Sequence, residues 1–108
     1  MTTDYRIEFS ASAGGSIPTD AAARLRSALA AMPGAAGVSD AEQDRRRRRV
    51  RATFWIQVRL GMADAARDGS RLAKEALKVA GMGEAQLTEL SVRMEPRPAD
   101  LDGAGPAA

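Results

Sequence analysis

The apolar positions of the chain recur first with a period of two. Tyr5, Ile7 and Phe9 alternate with Arg6, Glu8 and Ser10, so an extended strand sends the first set to one face and the second to the other. A flexible connection, Ala11 to Ser16, follows. Thr19 or Asp20 is then placed to cap a helix, with Ile17 as a hydrophobic staple. Ala22, Leu25, Leu29 and Met32 recur at helical spacing until Pro33-Gly34 ends the run, which predicts a helix over about 19–32.

Beyond that helix the period returns to two. Ala35 to Glu42 holds a short, weak strand around Val38, and Arg46 to Arg59 a strong one. In the strong strand Val50, Ala52, Phe54, Ile56 and Val58 form a wholly apolar face that must pack on something, while Arg47, Arg49, Arg51, Thr53, Trp55, Gln57 and Arg59 form the other. Asp64 is a plausible N-cap for a helix running to about Ala80, with Gly81 at its C-terminal end. Ala65, Gly69, Leu72, Ala76 and Val79 make the expected core stripe, flanked by Leu77. Gly69 there lets the helix approach the sheet or the other helix closely, at a propensity cost of about 1 kcal/mol. Leu90, Val92 and Met94 alternate with polar residues as a last strand. From Pro96 the chain is Pro, Ala, Gly and Asp without periodicity, which predicts one domain over residues 1–95 and a disordered tail over 96–108.

The order strand, helix, strand, strand, helix, strand predicts an α+β chain of the ferredoxin-like, split βαβ kind. Right-handed crossovers put both helices on one face of a four-stranded antiparallel sheet with strand order 4-1-3-2. The resemblance is to a fold rather than a family, and a fold of this kind licenses no function by itself.

Composition narrows the chemistry. The 108 residues contain no His and no Cys, which excludes a Ser-His-Asp triad, a Cys nucleophile, and imidazole or thiolate ligation of zinc, haem or iron-sulfur clusters. The expectation is a protein that is not an enzyme and uses no cofactor. The sequence shows neither a membrane-spanning apolar run nor the pattern of a signal peptide at Met1-Thr2-Thr3-Asp4, so we expect a cytoplasmic protein. Ala13-Gly14-Gly15-Ser16 follows a strand and precedes a helix but lacks phosphate-loop spacing. Asp40, Glu42 and Asp44 lie close enough to hold a hard cation weakly, but beside the arginine run that use is not expected.

Charge is segregated. Lys plus Arg number 16 against 14 Asp plus Glu, yet residues 45–59 carry seven positive charges and no negative one. Arginine abundance alone does not point to nucleic acid, since a GC-rich coding sequence gives as much. A hairpin turn near Gln43-Asp44-Arg45 would set Val38 opposite Val50, Asp40 opposite Arg48 and Glu42 opposite Arg46, a self-paired, solvated ladder worth roughly 0.2–1 kcal/mol per ion pair. Arg47, Arg49 and Arg51 would then remain available to an anionic partner.

Trp55 is the residue that most asks for an explanation. With Phe54 and Ile56 facing the helices, its indole must lie on the open face of the sheet, where an exposed Trp would be unusual. Three covers compete there: a second copy of the domain, a stacked nucleic-acid base, or the chain's own tail and long side chains. Arg51, Arg59 or Arg6 is placed to stack on the ring. RNA-recognition motifs share this topology and stack bases on aromatics of the central strands. Arg51 and Trp55 match that pattern in type, but Thr53 and Ala52 stand where an aromatic and a glycine are expected, and strand one offers Arg6 and Glu8 instead of a platform. The expectation is therefore an interaction module that forms a homodimer through its open sheet face. Nucleic-acid binding through Trp55, Arg47, Arg49, Arg51 and Arg59 is the alternative.

Overall fold

A computed structural model describes residues 2–59 and 61–99. Its elements run β1 (Thr3–Ser12), α1 (Ala21–Ala31), β2 (Ala35–Asp44), β3 (Arg49–Val58), α2 (Met62–Val79) and β4 (Gln86–Met94). The sheet order is β2-β3-β1-β4 and every neighbour pair is antiparallel, so the fold is the α+β, ferredoxin-like one the element order implied. Residues from 100 onward, most of the expected tail, lie outside the described residues.

The period-two pattern places the core. Tyr5, Ile7, Phe9 and Ala11 of β1 and Val50, Ala52, Phe54, Ile56 and Val58 of β3 are all buried on the helix side, where Phe9 and Phe54 meet edge to face at 6.0 Å. From the helices come Ala21, Leu25, Ala28 and Leu29, and Ala65, Gly69, Leu72, Ala73, Ala76 and Leu77. Val79, expected in the core stripe, is 67% exposed. A stripe through Ala65, Leu72 and Ala76 continues at Ala80 rather than at Val79, because 3.6 residues per turn leave Val79 on the outer shoulder.

Close approach explains Gly69. A Cβ there would sit 2.9 Å from Ile7 Cδ1, so the missing side chain is what lets α2 lie directly on β1. The end of α2 is a Schellman motif: Gly81 takes a positive φ of 86°, Met82 N–H donates to the Leu77 carbonyl (2.7 Å) and Gly81 N–H to that of Lys78 (3.1 Å).

The start of α1 differs from the expectation of a local cap. Asp20 stands at the cap position but makes no side-chain cap hydrogen bond; its carboxylate pairs with Arg24 at 2.9 Å. Gln43 of β2 caps the helix instead. Its Oε1 accepts the Ala22 N–H (2.7 Å) and its Nε2 donates to the Thr19 carbonyl (2.9 Å), satisfying one of the helix's orphan donors from across the fold.

The β2–β3 hairpin also has a different register. Asp44 faces Arg49, Glu42 faces Arg51, Ala41 faces Ala52, Asp40 faces Thr53 and Val38 faces Phe54. The turn is Arg45–Arg48, centred two to three residues later than expected. Asp44 Oδ1 accepts the Arg47 N–H (3.1 Å), and Arg48 adopts a left-handed φ of 54° with its N–H on the Arg45 carbonyl (3.3 Å). Irregularities between Ala35 and Gly37 and between Val38 and Asp40 then absorb two extra residues of β2.

Candidate functional site

The open face is where the sequence placed its candidates, and β1 and β3 supply its centre. Trp55 does face away from the helices, opposite Arg6 on one side and Gly37 on the other. It is nevertheless only 3% exposed. The chain leaving β4 provides the cover: Glu95 N–H donates to the Asp4 carbonyl (3.2 Å), and the Trp55 Nε1–H donates to the Glu95 carbonyl (3.3 Å). Farther on, Arg97 N–H meets Asp4 Oδ2 (3.1 Å) and Arg97 Nη1 meets the Ala36 carbonyl of β2 (2.8 Å). Asp4 is the post of this clasp, since its Oδ1 also accepts from Gln57 (2.8 Å). The Arg6 guanidinium lies 5.9 Å from the indole centroid. Of the three covers considered for Trp55, the chain's own end is the one in place, and anchored contacts extend to Arg97, past the boundary that composition suggested.

Around the indole the face is ionic. Arg51 reaches Glu8 through Nε (3.0 Å) and Nη2 (2.5 Å); that hydrogen bond first, and the carboxylate's charge second, raises the Arg51 pKa above its already high ordinary value. Glu8 also lies 3.9 Å from Arg6, and Glu95 bridges Arg6 (3.8 Å) and Arg93 (3.9 Å), relieving the like-charge pair that β1 and β4 set side by side. Toward the hairpin the face forms a hollow of about 600 Å³ lined by Glu8, Glu42, Asp44, Glu89, Arg49 and Arg51 among others. The Arg49 Nε is buried there without a hydrogen-bond partner. Four carboxylates against two guanidiniums make this hollow a poor bed for phosphates.

Of the five residues expected to act together, Arg49 and Arg51 meet in this hollow and the other three do not line it. Arg47 lies in the turn, Arg49 faces Asp44, Arg51 is tied to Glu8, and Trp55 is covered. Arg59, exposed just past β3, stands at the far end of a strand roughly 33 Å long.

One surface was not anticipated. β4 is a terminal strand, and although Leu90, Val92 and Met94 do point to the helix side, Leu90 is 37% and Met94 65% exposed. The signal for this was available in the strand order, because the fourth strand of this topology is always an edge. From Glu89 to Met94 it pairs with β1 without a shift in register.

Among the described residues no helix is long and apolar enough to cross a membrane, and no cluster of acidic side chains is disposed to hold a metal ion. Compared with models of protein families and with curated proteins, the chain matches none of them.

Proposed function

We propose that this chain is a non-enzymatic interaction module that self-associates, and that the joining surface is the outer edge of β4 rather than the centre of the open face. The observation that carries this reading is the order Glu89-Leu90-Ser91-Val92-Arg93 on an exposed terminal strand. Two copies paired antiparallel about an axis through Ser91 set each Glu89 opposite the partner's Arg93 on one face of the sheet. The same register sets each Leu90 opposite the partner's Val92 on the other. Such pairing satisfies the N–H and C=O groups that a sheet edge leaves open, and it covers apolar surface that the single chain exposes.

The open face supports self-association less well than its Trp suggested. Its indole already has a cover, and a partner laid over Arg6, Glu8, Arg51 and Glu95 would desolvate charges that now neutralise one another. From Glu95 to Arg97 the chain turns inward toward β2, so among the described residues no strand lies on the outer side of β4.

Sedimentation over roughly a hundredfold range of concentration tests the reading. Wild type is expected to pass from one chain to two. Arg93→Glu, which sets two carboxylates against each other at both ends of the pairing, is expected to hold the protein as a monomer, and Glu89→Arg combined with Arg93→Glu to restore the dimer. A monomer at every concentration, or a dimer indifferent to Arg93→Glu, overturns the edge-pairing reading; a dimer lost instead on Arg51→Glu returns the interface to the open face.

A further inference from the structure

The hairpin turn gathers positive charge that the fold leaves largely unpaired. Arg6, Arg24, Arg51, Arg67 and Arg93 each face a carboxylate. Arg45 and Arg46, by contrast, are exposed and have no partner among the described residues. Arg47 keeps only a 3.8 Å approach to Asp44 at the turn's own base, and Arg48 spends one nitrogen on the Gly14 carbonyl (3.2 Å). Four exposed arginines are thus gathered in one turn at the end of the sheet, two of them without a partner among the described residues.

The turn is also held in place. Asp44 pins the Arg47 amide, the Arg48 carbonyl accepts the Ala13 N–H (2.8 Å), and the Arg48 side chain reaches the same loop. Arg48 holds a φ of 54°, a conformation that Gly or Asn adopts at less cost. An arginine kept where glycine would fit better, on a turn fixed to its neighbours, is what a rigid cationic finger requires.

From this arrangement we infer that the Arg45–Arg48 turn binds the phosphate backbone of nucleic acid, end-on and without reading sequence. A two-stranded ribbon is narrow enough to enter a major groove, and arginine forks suit phosphate oxygens. No aromatic or aliphatic side chain lies between Arg45 and Arg49 to enter a lipid bilayer, which disfavours a membrane. Trp55 is covered and Arg51 is tied to Glu8, so neither takes part. The carboxylates of the open face keep phosphates away from the sheet, which confines contact to the tip. This inference stands apart from edge pairing and does not need a dimer.

Anisotropy of labelled duplexes of unrelated sequence, titrated with the full chain between about 50 and 200 mM salt, provides the test. With three or four phosphates engaged, log affinity should fall against log salt with a slope of about −3, a loss of roughly 60-fold over that range, and alike for every sequence. The double variant Arg45→Ala with Arg46→Ala should flatten the slope by about 2 while leaving the thermal melt unchanged, and Arg51→Ala and Arg59→Ala should leave binding as it is. Absence of salt-dependent binding, binding undiminished in the double variant, or capture by anionic phosphatidylglycerol vesicles but not by the duplex would overturn the inference.

Discussion

The two edges of the sheet are built on opposite plans. β2 is broken by two irregularities in register, and the carbonyls beside them are occupied by arginines: Arg97 on Ala36 (2.8 Å) and Arg26 on Ser39 (2.9 Å). Val38 is fully buried opposite Phe54, so this edge is locked into the core as well as blunted. β4 has one irregularity, at Thr88, then runs straight from Glu89 to Met94, leaves Leu90 partly and Met94 largely exposed, and has no strand beyond it among the described residues. Bulges, covering side chains and buried anchors are how a chain forbids pairing at an edge. One edge of this molecule has all three and the other is left able to accept a strand.

The largest test of that contrast is in the core. Phe54→Ala removes the ring that holds Val38 and Phe9 together and should cost about 3–5 kcal/mol, close to the stability of a domain of this size. Leu90→Ala on β4 should cost about 1 kcal/mol or less in the monomer. Urea melts of both variants at low protein concentration check the pair, and equal losses would mean that β4 is as firmly anchored as the core on which Val38 of β2 rests.

Next comes the clasp. Ending the chain after Met94 removes the cover of Trp55 and frees the Ala36 carbonyl of β2; we expect a loss of about 1–3 kcal/mol and a red shift of the single tryptophan's emission. Ending it after Pro98 keeps Glu95 and Arg97 and should change neither. Unshifted emission in the shorter chain would show that the indole is covered by something else.

Gln43 gives a smaller effect. Gln43→Ala deletes the cap that β2 supplies to α1, with an expected cost of about 1 kcal/mol, read in the melt and in faster amide exchange at Ala22. A silent substitution would mean that β2 is held by its core contacts alone. The smallest effect is at the turn: Arg48→Gly relieves the left-handed backbone but adds freedom to the unfolded chain, so stability should move by no more than about 1 kcal/mol in either direction. A larger loss would show that the Arg48 bond to Gly14 anchors the hairpin.

Much of this molecule is legible in its sequence. Alternation at Tyr5-Ile7-Phe9 and at Val50 through Val58, helical spacing around Leu25 and Leu72, and the stops at Pro33-Gly34 and Gly81 determined the elements, their order and the side of the sheet that is buried. These are local properties: a side chain's face follows from the period of its own segment. Tertiary structure alone decided the hairpin register, the cap on α1, the pairing of the arginines and the cover over Trp55. The register turns on which four residues make the bend, and the other three depend on groups far apart in the chain, Gln43 with Ala22, Arg51 with Glu8, and Glu95 with Trp55. Periodicity says which way a side chain points but carries no term for what meets it there. A turn shifted by two or three residues, or the three residues from Glu95 to Arg97, therefore settles whether a guanidinium or an indole is free.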